Sequence, residues 1–391
     1  MIALLEALVA IPAFLLAVLA GFFVLEVAGA LLPARRAPSA APGPIAVIVP
    51  AHNEAAVIAS TLRDIKAQLR AVDRLIVVAD NCEDETAAVA MRAGASCLIR
   101  DEPALRGKGY AMQFALDSLK DNAPAVVVLI DADCRLGEGA LLRIAGAAAA
   151  ADRPAQGLYL MRAGGIESRA VAEFAWIVLN RVRMRGLSTL FDVCRLTGAG
   201  MALPWRIAAE LDLASGEIVE DLALTAALVA KGEAPVSVPE ALIESDFPST
   251  DEGAIKQRAR WEFGSLRLAA RRAFPMLADA IGEADIRRAA MALDLAIPPL
   301  TLFAGAIGAV FLVSLLLLAA GADLPYRLSA LALLLFAGGV LVSWLVDGRK
   351  ALPPSSLGAL FGYAAEKAAV YGKKARASTQ SWTRTERDGG E

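Results

Sequence analysis

The chain has 391 residues, one histidine, four cysteines and a formal net charge of −3. That charge speaks against nucleic acid as a partner, and a single histidine excludes zinc sites built on two or more. With 57% hydrophobic residues and a mean hydropathy of +0.52, the composition is too apolar for an ordinary soluble domain, and the excess is concentrated in three runs.

The first uncharged run is Ala7 to Leu25, the second Leu295 to Ala322 and the third Leu328 to Val346. Each is long enough to cross a hydrocarbon core of about 30 Å as a helix. The first does not read as a signal peptide, because no Lys or Arg precedes Arg35 and the apolar run is too long. Arg35 and Arg36 follow it, while Arg267, Arg271, Arg272, Arg287 and Arg288 precede the second run, and Arg349 and Lys350 follow the third. Positive flanks face the cytoplasm, so the expected topology puts the N-terminus outside and the central block and C-terminus inside. Pro298-Pro299 predicts a kink or turn at the start of the second span.

Between the spans, a linker, LPARRAPSAAPGP, leads into alternating segments. IAVIVPA (45–51), RLIVVAD (74–80), SCLIR (96–100) and AVVVLIDAD (125–133) have strand length, and the intervening stretches are rich in Ala, Leu, Arg and Glu. That βαβ series predicts a mostly parallel sheet, whose ligands bind beyond the carboxyl ends of the strands. The polar residues gather there. The first strand ends in Pro50-Ala51-His52-Asn53-Glu54, the second in Asp80-Asn81 and the fourth in Asp131-Ala132-Asp133. A turn explains any one of these ends; three together point to a site, and paired carboxylates suit a hard divalent cation. PAHNEAA lacks the glycines of a dinucleotide fold, and RGKGYA lacks the P-loop pattern. Gly107, Lys108 and Gly109 still offer a cation and bare backbone to a phosphate. Cys82, Cys97, Cys134 and Cys194 have no CxxC spacing and read as reduced thiols. Without a GxSxG elbow beside His52, acid–base chemistry falls to carboxylates.

Further on, SGEIVEDLALTAALVAKG starts a helix with acids near its positive end. Gln257, Arg260 and Trp261 share one helix face at i, i+3 and i+4. Their segment, 254–274, has the basic amphipathic character of a membrane-surface helix, as do 173–191 and the tail after 357.

VPAHNE (49–54), ADNCEDET (79–86), RGKGYAM (106–112), DAD (131–133), TGAGMALPW (197–205), VED (219–221) and QRARW (257–261) follow one another as the motifs of the family 2 glycosyltransferases do. The sequence resembles a membrane-anchored member of that family with the GT-A nucleotide-sugar fold, departing from it in PAHN. The resemblance implies an α/β fold with a mostly parallel sheet, three transmembrane helices and interface helices. It implies the order first span 1–32, linker 33–44, glycosyltransferase domain 45–252, QxxRW interface helices 253–290, two spans 291–347 and tail 348–391. By the same resemblance Asp221 is the general base with Glu220 beside it, and Asp133 with Asp131 holds Mg²⁺ or Mn²⁺. Pro50, Ala51, Asn53, Glu54, Asp80, Asn81, Lys108, Asp131, Ala132, Asp133 and Arg260 bind the donor; Gly198, Ala199, Gly200, Gln257 and Trp261 face the acceptor. The expected activity is inverting transfer from a UDP-sugar to a lipid-linked saccharide at the bacterial inner membrane. A processive synthase, a glycolipid glycosyltransferase and a non-catalytic nucleotide-sugar-binding scaffold are the alternatives.

Overall fold

The computed structural model describes residues 2–166, 169–214, 219–248, 251–356 and, near the C-terminus, 358–360, 362–363 and 367. The chain forms two compact units. Among the described residues, one consists of Arg35–Gly164 and Asp192–Gly264, and is built on a sheet.

The sheet has eight strands: β1 (Ile45–Ala51), β2 (Arg74–Asp80), β3 (Ser96–Arg100), β4 (Val126–Leu129), β5 (Arg135–Leu136), β6 (Ala155–Arg162), β7 (Met201–Pro204) and β8 (Val236–Asp246). Their order is β3-β2-β1-β4-β7-β6-β8-β5. β1 pairs in parallel with β2 and β4, β2 with β3, and β6 with β8. Antiparallel β7 joins the two parallel groups through β4 and β6, and β5 adds an antiparallel edge. The continuous apolar runs of β1 and β4 are buried on both faces, as strands covered by helices must be. On one face, Ile48, Val78, Leu129 and Leu203 pack with Met112 and Leu116 of the Lys108–Ser118 helix.

β1, β2 and β3 coincide with the predicted strands; the fourth is shorter than its apolar run. Ile130 donates one last ladder bond to the Ile48 carbonyl at 3.1 Å, and the chain then turns, with Cys134 N donating to the Asp131 carbonyl at 3.2 Å. That turn frees both aspartates from the ladder and carries them to the edge where β1 and β2 also end.

The second unit, Met1–Ala34, Gly165–Phe191 and Ser265–Ala368, is helical among its described residues. Three of its helices are long and apolar enough to cross a membrane: Ala3–Leu31, Leu300–Ala319 and Leu324–Gly348. Leu8, Leu316 and Leu334 are strongly exposed on them, as side chains meant for lipid would be. The Pro298-Pro299 break is present: Ile297 is extended (φ −70°, ψ 117°) after the Ile286–Ala296 helix, and Pro299 begins the next. Phe336 meets Phe23 and Phe303 with ring centroids 5.9 and 5.2 Å apart. The segment 173–191, expected to lie along the bilayer, packs against the first helix. Gly186 is essential to that crossing, since a Cβ there would overlap the Glu26 carbonyl oxygen at 1.7 Å.

Next to this crossing is a buried ionic triad. Arg183 Nε donates to Glu26 Oε2 at 2.7 Å, and its NH2 to Asp294 Oδ1 at 2.8 Å and to the Asp294 carbonyl at 3.1 Å. All three side chains are out of solvent. Removing the shared cation would strand two carboxylates in an apolar interior. Arg183→Leu is therefore expected to lower stability by about 3–5 kcal/mol, read as a shifted unfolding midpoint of the detergent-solubilised protein; an unchanged midpoint would contradict the triad.

Candidate active site

The site is assembled at the carboxyl edge of β1, β2 and β4, with Lys108 at its centre. Gly107, in a conformation that favours glycine (φ 141°), leads into the Lys108–Ser118 helix. The Lys108 ammonium donates to the Gly198 carbonyl at 2.8 Å and forms an ion pair with Asp131. Gly198 lies in the Gly-rich segment with φ 84°, and a Cβ added there would sit 3.4 Å from both Lys108 Nζ and Asp221 Oδ2. Four motifs far apart in sequence thus meet: RGKGYAM, DAD, TGAGMALPW and VED.

Electrostatics follow from the crowding. Burial alone would weaken the Lys108 ammonium, but Asp131, then Glu220 and Asp221, outweigh it and raise its pKa. Burial also raises the Asp221 carboxyl, against the pull of Lys108. Glu220 is pushed up to about 7, chiefly by burial and then by the charge of Asp221. Glu220 and Asp221 open the Glu220–Ala230 helix, where Asp221 Oδ1 accepts from Leu222 N at 2.8 Å. An elevated acid of this kind is a proton acceptor of useful strength near neutrality.

The residues at the ends of β1 and β2 form a second cluster. Asn53 and Asn81 both adopt left-handed backbone (φ 55° and 51°) as the chain leaves β1 and β2. Asn53 Oδ1 accepts from Glu83 N at 2.7 Å, Glu54 N donates to Thr86 Oγ1 at 2.8 Å, and His52 Nδ1 lies 2.7 Å from the Asp80 carbonyl. Pro50 and Ala51 are the last residues of β1. Ala132 is buried, its carbonyl taking a 2.8 Å bond from Thr61 Oγ1. The Asp80 side chain is tied to Arg100 at 2.5 Å.

Asp131 and Asp133 are the half-buried carboxylates of the turn after β4. Among the described residues no three His, Cys, Asp or Glu side chains converge into a metal cage. Two carboxylate donors fit a hard divalent cation that takes its other oxygens from a bound phosphate. Gln257 is buried, and Arg260 and Trp261 half-buried, on the Asp251–Glu283 helix. This helix abuts the VED segment, for a Cβ on Gly264 would lie 2.9 Å from Val219 Cγ1.

Sequence reasoning missed the supports. Gln156, fully buried, donates to the Ala199 carbonyl at 2.8 Å and accepts from Thr197 N at 3.0 Å, bracing the Gly-rich segment that includes Gly200. Thr225 donates to the Asp221 carbonyl at 2.8 Å and accepts from Leu196 N at 2.9 Å. Arg100 was signalled only as a charge closing an apolar strand.

Because its folded pKa of about 7 exceeds the ordinary 4.5, Glu220 contributes stability that is complete below 4.5 and lost as pH rises through about 7. In chelator-containing buffer the melting temperature is expected to fall across that window, and Glu220→Gln to flatten the fall. Identical pH profiles for the two proteins would refute the assignment.

Comparison with known proteins bears on the family and the fold. The profile of the family described as "Glycosyltransferase like family 2" matches residues 42–264. No curated protein matches the chain by sequence. Among solved structures, the mannosyltransferase PcManGT from Pyrobaculum calidifontis, in complex with GDP-Man and Mn²⁺, is 22% identical, with 88% of this chain and 99% of that one covered and a TM-score of 0.51. Glucosyl-3-phosphoglycerate synthase from Mycobacterium tuberculosis is 22% identical over 58% of this chain and 78% of that one (TM-score 0.40). Mannosyl-3-phosphoglycerate synthase from Rubrobacter xylanophilus is 20% identical over 62% and 75% (TM-score 0.40). The first of these shares the GT-A fold. With more than half of its length matched by the family profile, the chain belongs to the glycosyltransferases like family 2.

Proposed function

We propose that the protein is an inverting, metal-dependent glycosyltransferase that moves a sugar from a nucleotide donor, a UDP-hexose, to an acceptor presented at a membrane. The observation that carries this reading is the convergence on Lys108 of Asp131, the Gly198 carbonyl and the Asp221 carboxylate neighbourhood. A diphosphate leaving group needs cations on one side and the attacking hydroxyl needs a base on the other.

In this reading Asp133, with Asp131, holds Mg²⁺ or Mn²⁺, which supplies Lewis-acid neutralisation of the diphosphate. Lys108 and Arg260 add fixed positive charge to the same group. Asn53, Glu54, Asp80 and Asn81 frame the nucleoside, and Pro50, Ala51 and Ala132 shape its floor. Asp221 takes the acceptor proton, with Glu220 beside it, and the positive-φ loop Gly198-Ala199-Gly200 leaves room for the acceptor. Gln257 and Trp261 border that acceptor side. Displacement in one step from an α-linked donor gives a β-linkage.

A membrane-presented acceptor, of the polyprenyl-diphosphate-linked saccharide class used in exopolysaccharide assembly, is supported by the three helices able to span a bilayer. The Asp251–Glu283 helix adds an exposed stripe of Arg267, Arg271, Phe274 and Ile281, whose charges and apolar groups suit an anionic lipid surface. The inner membrane, with the catalytic unit on the cytoplasmic side, is the location where nucleotide sugars and such lipids meet.

The test is UDP release and glycolipid formation by the purified protein with UDP-sugars, Mn²⁺ and membrane lipid extract. Asp221→Asn is expected to lower kcat about 10²- to 10⁴-fold with donor KM within a few-fold, whereas Asp133→Asn should abolish the response to Mn²⁺. Turnover that survives both substitutions would overturn the roles of Asp221 and Asp133; no turnover with any donor would favour a binding scaffold.

A further inference from the structure

We propose that Arg100 sets the base selectivity of the donor pocket by reducing Asp80 to a single-oxygen acceptor. The inference rests on the nucleotide-donor reading above and adds to it the residue that chooses the base.

Asp80 and Arg100 are register partners at the ends of β2 and β3. Arg100 NH1 donates to Asp80 Oδ1 at 2.5 Å and also to the Leu105 carbonyl at 2.9 Å. Asn81 Nδ2 adds a second bond to the same Oδ1 at 2.9 Å. Both partners of the ion pair are nearly out of solvent, with side chains 7% and 8% exposed. The guanidinium also lies over the Tyr110 ring, 5.5 Å from its centroid. Asn81 is itself fixed, because its N donates to the Arg100 carbonyl at 2.7 Å and its Oδ1 accepts from Glu102 N at 2.8 Å. Oδ1 is therefore committed twice over, and Oδ2 makes no hydrogen bond among the described residues.

A carboxylate with one oxygen left can receive one N–H. Uracil and thymine present one ring N–H between two carbonyls. Guanine presents a ring N–H and an adjacent amine, a pair that needs both carboxylate oxygens. Cytosine and adenine present an exocyclic amine beside an acceptor ring nitrogen, so a carboxylate oxygen placed to meet a ring N–H faces that nitrogen and is repelled. The arrangement therefore selects a uridine or thymidine diphosphate and penalises a guanosine diphosphate, one of whose donors would be left unpaired.

The same geometry makes a sharper statement about Asp80→Asn. With two donors fixed on one side, the amide must turn its oxygen towards Arg100 and Asn81 and its NH₂ towards the base. That NH₂ matches the ring nitrogen of cytosine and opposes the ring N–H of uracil.

The experiment is calorimetric binding of UDP, dTDP, CDP and GDP, with Mn²⁺, to the full chain in detergent. The wild type is expected to bind UDP and dTDP roughly tenfold or more tighter than GDP and CDP. Asp80→Asn should reverse the order of UDP and CDP, and Arg100→Gln should narrow the gap between UDP and GDP several-fold by removing one of the two donors that hold the second oxygen. A wild type that binds GDP as tightly as UDP, or an Asp80→Asn variant that still prefers UDP, would overturn the role of Arg100 while leaving the donor site intact. Failure of all four nucleotides to bind would instead remove the nucleotide-donor reading itself. Should Arg100→Gln not fold, the wild-type panel and Asp80→Asn decide the matter.

Discussion

One ammonium group surrounded by carboxylates organises the catalytic unit. Lys108 pairs with Asp131 and draws on Glu220 and Asp221, three acids from two distant segments whose mutual repulsion in a buried setting it offsets. The lysine compensates only part of that repulsion, which is why both acids of the VED segment keep elevated pKa values. In the proposed reaction the compromise serves the chemistry. A fully neutralised cluster would give a weak base, and an uncompensated one would not assemble.

The helical unit solves the same problem with a different cation. Arg183 reaches Glu26 and Asp294 simultaneously through separate guanidinium nitrogens, as a planar fork can and a lysine cannot. The two sites differ in what surrounds the charge. Around Lys108 the backbone is glycine-rich, the Gly198 carbonyl joins the cluster, and the side chains of Lys108 and Asp131 keep part of their surface in solvent. Around Arg183 the helices close directly on one another, with Gly186 against the Glu26 backbone. The first arrangement is built to be entered and the second to be sealed.

The legible part of the sequence was the part governed by local rules. Largely apolar runs marked β1, β2 and β3 to the residue; β1 and β2 are buried as strands covered on both faces must be, whereas β3 is a half-exposed edge strand recognised by its length. Apolar runs likewise located the three long helices. The second half of the sheet was illegible for the opposite reason. β5 has two residues and β7 has four, too short for any periodicity, and β8 mixes Glu and Pro into a strand whose partners lie 81 or more positions away. The expected strand 125–133 overruns β4 because Ile130, which continues the apolar run, donates a single bond and Asp131–Asp133 form the turn that follows.

Site residues divide along the same line. Motif order was enough to single out Lys108, Asp131, Gly198 and Asp221, but not to say that they touch, since their contacts join positions 23 to 113 residues apart. The supporting residues carry no motif at all. Gln156 and Thr225 hold the Gly-rich segment and the VED helix through backbone bonds, and any sequence offers many such side chains. Arg100 is the instructive case. Its identity was visible at the end of SCLIR, yet its consequence lies in which oxygen of Asp80 it occupies, and that depends on the parallel register that places strand ends 80 and 100 side by side. A functional carboxylate is thus specified twice: its presence by the strand that ends on it, and the hydrogen bond it can still accept by the neighbouring strand.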